Sequence, residues 1–154
     1  MTVSKLIAKH LREVYFGKNW TWSDLKEHLD DVTWKEATHK IEGFNTIAVL
    51  TYHISYFVKV ASAFLDSGVV EGNDKLSFNA PPIHSEEDWQ QLLHTIYADV
   101  ETFAQKIELL PDERLFEVFG EEKYGNYYRN LTGIIEHTYY HLGQIVILKK
   151  LIRR

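Results

Sequence analysis

Four stretches of this chain repeat their apolar residues every three or four positions, and no stretch of convincing strand length alternates apolar with polar residues. A period of 3.6 gathers such residues on one face of a helix, whereas a strand needs a period of two. The first stretch runs from Ser4 to Phe16 and stops at Gly17, with Leu6, Ile7, Leu11 and Val14 as its stripe. The second runs from Phe44 to Asp66, ending at Ser67 and Gly68, and carries Ile47, Leu50, Ile54, Phe57, Val58, Ala61 and Leu65. The third opens at Ser85, a natural N-cap with Asp88 three residues on, and continues to Leu109 ahead of Pro111. Its row is Trp89, Leu92, Leu93, Ile96, Val100, Phe103 and Ile107. The fourth begins near Asn126 and runs to the C-terminus. This pattern predicts an all-α fold, a four-helix bundle with its longest connections after the first and second helices.

The first connection holds two short helical signals. Ser23 is placed to cap "DLKEHL", and Thr33 with Glu36 forms a capping box over "WKEATH". Trp20, Trp22 and Trp34 make this connection aromatic, so it is expected to pack over an end of the bundle. The second connection, "SGVVEGNDKLSFNAPP", clusters Gly, Asn, Asp and Pro and reads as the most loop-like part of the chain. Neither interval divides the chain, so one domain over 1–154 is expected, a length that supports its own core.

With no cysteine in the chain, a disulfide framework, a cysteine nucleophile and thiolate metal ligands are all excluded. Any transition metal must therefore be held by His, Asp or Glu. The N-terminal stretch carries Lys5, Lys9, His10, Arg12 and Glu13 among its apolar residues and lacks the unbroken apolar run of a signal peptide. The longest run with little charge, "FNTIAVLTYHISYFV", is interrupted by polar groups and is short for a bilayer span. These features predict a cytoplasmic protein with no membrane partner. A net charge of -5 and the lack of a basic recognition helix speak against nucleic acid as a partner. The basic end "LKKLIRR" is read as complementing a helix C-terminus.

Three of the eight histidines fall on inward rows. His53 lies between Leu50 and Phe57 on the second helix, and His137 and His141 lie four residues apart on the fourth, in "EHTYYHLGQI". Two readings are open: hydrogen-bonded core residues, or ligands converging on one divalent ion that satisfies a nitrogen on each ring at once. Glu136 points about 100° away from its neighbour His137 on a helix and reads as a solvated carboxylate. Gln144, three residues after His141, could reach the cavity or serve the next helix, the second reading being favoured; Tyr52, Tyr56, Tyr139 and Tyr140 read mostly as packing residues, and no catalytic residue is assigned.

The second-helix "LTYHISYF" and the fourth-helix "GIIEHTYYHLGQIVILKKLI" resemble the DinB-like superfamily, four-helix bundles that include metal-dependent hydrolase-like proteins and bacillithiol or mycothiol S-transferases. The likeness covers the order and length of the elements along the chain and is specific over those two helices. It implies a three-histidine metal site mapped onto His53, His137 and His141, with no fourth protein ligand, and a homodimer. Zinc and nickel both suit imidazole. An ion held by three neutral ligands keeps its charge and makes a water or thiol acidic, so a hydrolase or S-transferase acting on a small-molecule substrate is expected. Any thiol must be a cosubstrate. The alternative is a non-enzymatic helical module that binds metal or a partner.

Overall fold

The computed structural model describes residues 1–154, and every regular element in it is helical. Four helices are long: α1 (Val3–Phe16), α4 (Ile47–Ser67), α5 (Glu86–Glu108) and α6 (Tyr127–Ile152). Two short ones, α2 (Leu25–Leu29) and α3 (Trp34–Thr38), lie in the first connection. α1 and α4 each pack against both α5 and α6, so the four long helices surround one core. The buried apolar side chains form a single continuous cluster that includes residues from all six helices.

The helix ends follow from capping chemistry. Thr46, Ser85 and Asn126 each accept a backbone N–H from three residues on, which satisfies a donor that the first turn leaves unpaired. The Thr46 cap starts α4 at Ile47, three residues later than the apolar pattern suggests. Gly68 ends it at φ 72°, a left-handed cap that glycine adopts without strain. Asp88 closes its side of the α5 cap on the His84 N–H at 2.8 Å. In α1, Ile7, Leu11 and Val14 are buried as the stripe predicts, but Leu6 is exposed.

At 21 residues α4 is long and apolar enough to cross a membrane. The charge-poor run read as too short is therefore only part of this helix. Inside the fold α4 packs against α5, α6 and the second connection, with Ile54, Val58 and Phe64 buried.

The first connection departs from expectation at two points. Asp24, not Ser23, caps α2, accepting the Glu27 N–H at 2.9 Å, and this start turns Leu25 and Leu29 into the core. Ser23 Oγ instead lies 2.8 Å from His28 Nε2. Trp20 and Trp22 do not pack over the bundle; they are 93% and 86% exposed. The residue that turns inward is Asn19, whose side-chain amide donates to the Glu13 and Ser23 carbonyls at 2.9 and 2.8 Å. Trp34 does pack against the core, and the Thr33–Glu36 capping box is formed. The buried Trp89 indole donates to the Val32 carbonyl at 2.8 Å, tying this connection to α5.

The second connection is not a plain loop. It contains a 3-10 turn, Asp74–Phe78, packed on α4. The third connection, 109–126, is as long as the second, 68–85, and holds two further 3-10 turns, Asp112–Phe116 and Glu122–Tyr124. Its Val118–Asn126 bridge leads straight into the α6 cap.

Candidate metal centre

α4 and α6 meet face to face, and the three histidines singled out from sequence converge there. One potential ligand nitrogen from each of His53, His137 and His141 falls within a 4.8 Å group. His53 and His141 are buried and His137 is half-buried. The other five histidines stay outside this group. His10, His39, His84 and His94 are exposed, and His28 is bonded to Ser23.

Hydrogen bonds fix the orientation of two of the rings. Ser77 Oγ donates its only proton to the Asp74 carbonyl at 2.5 Å, so at 2.7 Å it can only accept from His53 Nδ1. His53 therefore carries its proton on Nδ1 and presents an Nε2 lone pair. His141 Nδ1 lies 2.8 Å from Gln144 Oε1, an acceptor, so this ring too is protonated on Nδ1 with Nε2 left free. A hydrogen bond to the outer nitrogen that fixes ring and tautomer is the usual support for an imidazole ligand. His137 Nε2 faces His53 Nε2 at 3.0 Å. Two lone pairs repel at that distance unless a proton or a cation lies between them.

The electrostatics keep His137 and His53 in the form a metal needs. Burial, then the neighbouring His141 and His53, pushes His137 down to about 4. Burial and then His141 also lower His53, against a smaller opposite pull from Asp74. Both are neutral at pH 7 and have a lone pair to give. The donor set of three imidazoles suits zinc, nickel or copper and is a poor match for calcium or magnesium, which take oxygen ligands. Two nitrogens bound to one tetrahedral zinc at about 2.0–2.1 Å stand about 3.4 Å apart, a spacing that lies between the 3.0 Å of the His53–His137 pair and the 4.8 Å that bounds the whole group.

Aromatic rings wall the cluster. Phe78 stacks on His53 with centroids 4.1 Å apart and planes at 18°. Phe57 meets His53 and His137 edge-on at 5.3 and 5.2 Å, and Tyr140 meets His141 at 4.9 Å. Phe78 and Tyr140 are themselves partly exposed, and a groove of ≈ 340 Å³ reaches His137.

Sequence reasoning missed Ser77 and Phe78 and ranked the right place for Gln144 second. The spacing of three after His141 offers Gln144 to the cavity, and the contact with His141 bears out that less favoured reading. Ser77 and Phe78 lie in a stretch with no helical period, 24 and 25 residues from His53, and nothing local in the sequence pairs them with it. Glu136 is exposed, as its helical position predicts. No protein-family model, curated protein or solved structure gives a significant match to this chain.

Proposed function

We propose that this chain is a DinB-like four-helix-bundle protein that holds one divalent transition ion, zinc or nickel, on His53, His137 and His141. On this reading it is an enzyme that activates a water or a low-molecular-weight thiol, as a hydrolase or S-transferase. The observation that carries it is the convergence of three imidazoles from two helices, two of them held by a hydrogen bond at Nδ1. A bound ion would supply the positive charge that makes a water or thiol acidic near neutral pH. The chain's own contribution is orientation by Ser77 and Gln144, apolar packing of the rings by Phe57 and Phe78, and access through the groove at His137.

Three members in the group, with a groove beside one of them, support an open centre over a closed structural one. Self-association and a cytoplasmic setting belong to the same proposal, and sedimentation tests the first. The decisive experiment is elemental analysis of protein purified without added metal, followed by assays of water- and thiol-dependent turnover with the native metal restored. One equivalent of zinc or nickel, lost in His137→Ala, is the expected result. Wild-type protein that takes up no transition ion, even when it is offered, would sink the proposal.

A further inference from the structure

The groove beside His137 has a chemical polarity that the metal centre does not explain. Its walls are Phe57 and Ile134 from the apolar rows, with Tyr124, Asn130, Lys123 and Arg129 toward its outer end, and no carboxylate lines it. In a chain with 22 acidic and 17 basic residues that is an uneven placement of charge. Lys123 is paired with Glu121 at 3.0 Å in an exposed contact of the kind that contributes little. The Arg129 guanidinium has no acidic partner within salt-bridge distance and makes no side-chain hydrogen bond. Its backbone N–H, by contrast, is taken by the Asn126 cap.

The outer end is also built in place. Asn130 Nδ2 donates to the carbonyls of Tyr124 and Asn126 at 2.9 and 2.8 Å, which clamps the Glu122–Tyr124 turn onto α6. Arg129, Gly133 and His137 follow at intervals of four along α6, so their Cα atoms line one face, the outer two about 12 Å apart. Gly133 leaves the floor between them clear, since a Cβ added there would meet nothing within 4 Å. A second, more apolar groove of ≈ 360 Å³ shares Phe57, Tyr124, Asn130 and Ile134 with the first and continues to Val60, Phe119 and Asp74, so the one carboxylate of the pair lies in the second groove, outside the lining that holds Arg129 and Lys123.

We infer that Arg129, assisted by Lys123, is an anion-recognition subsite for the carboxylate or phosphate of a small molecule whose other end lies over Gly133 against His137. A planar guanidinium with unclaimed donors matches either anion with two parallel hydrogen bonds. The inference rests on the three-histidine centre only for what happens at the His137 end; the anion site itself is separable from it.

Calorimetric titration of the full chain with octanoate, octyl phosphate and octanol tests this, in the metal-free protein and with cobalt(II) added. At least one anion binds tenfold or more tighter than octanol, and the tighter of the two names the headgroup. Arg129→Ala removes that preference, with octanol unchanged, and raised salt weakens only the anion. Gly133→Leu blocks all three probes while Gly133→Ala does not. Equal affinities for octanol and both anions, no binding of any probe, or an anion preference that survives Arg129→Ala would overturn the subsite. Cobalt absorption separates the two claims, because Arg129→Ala leaves metal uptake intact. An Arg129-dependent anion preference without cobalt uptake upholds the subsite and removes the metal reading; cobalt uptake without that preference does the reverse.

Discussion

Two irregular segments of this protein invert what their composition suggests. The segment 17–23 is rich in aromatic residues and throws both tryptophans into solvent, while the polar segment 73–79 buries Ser77 and stacks Phe78 on a candidate ligand. The difference lies in where the backbone is anchored. Asn19 turns inward and fastens segment 17–23 to Glu13 and Ser23, and positive φ at Lys18 and Trp22 carries the rings outward. In segment 73–79 the anchors point the other way: Tyr56 takes the Asn73 N–H, and Ser77 links the Asp74 carbonyl to His53. A small polar residue that can satisfy the polar groups around it decides which side of a loop is inside, ahead of the hydrophobicity of its neighbours.

The largest effect expected from breaking this contrast is at the residue segment 73–79 supports. His53→Ala should abolish binding of one equivalent of zinc or nickel by calorimetry, while circular dichroism keeps its helical signal, because the apolar rows hold the fold. Next comes Ser77→Ala, which leaves His53 Nδ1 without its acceptor. A loss of about 10–100-fold in metal affinity is expected from such an outer contact. An unchanged affinity would show that the ring is held by Phe78 alone.

A pH effect belongs to the first connection. Asp31 is lowered to about 2 by Lys149 and then Arg153, and Glu36 to about 2 by Arg153 and then the Thr33 N–H. Carboxylates depressed in the folded state stabilise it fully above their unfolded value, about 4, and lose that contribution as pH falls toward 2. The double variant Asp31→Asn/Glu36→Gln should therefore melt below the wild type at pH 6, with the gap closing by pH 2. A gap that widens in acid would contradict the ion pairs. The smallest effect is at the tryptophans. Trp20→Ala and Trp22→Ala should change stability by no more than about 0.5 kcal/mol in urea unfolding, as befits side chains so exposed. Asn19→Ala, one residue away, should be destabilising by about 1–3 kcal/mol through the backbone carbonyls it orphans.

Much of the architecture is legible in the sequence. The period placed all four long helices, and Gly17, Gly68, Ser85 and Asn126 marked their ends because caps are local chemistry. The three histidines were legible for the same reason: each sits one turn from apolar residues on a row that must face inward. What escaped was chemistry assembled across the chain. Ser77 reaches His53 through a 3-10 turn too short to show a period, and Arg129 gains meaning only when the Glu122–Tyr124 turn folds back beside it. Leu6 and the two tryptophans show the opposite error, in which apolar identity was taken for burial although much of any protein surface is apolar.

The sequence distance between His53 and His137, 84 residues, has a consequence for assembly. His137 and His141 are neighbours on one helix and come together as soon as a single turn of α6 winds, whereas His53 joins them only when α4 docks across more than half the chain. An ion gripped by all three acts as a reversible staple on a long loop, the kind of clip that restrains an unfolded chain most. Loading at about 1,000 times its dissociation constant would add about 4 kcal/mol of folding stability. A chelator would then make the protein fragile throughout, far beyond the few residues that touch the ion.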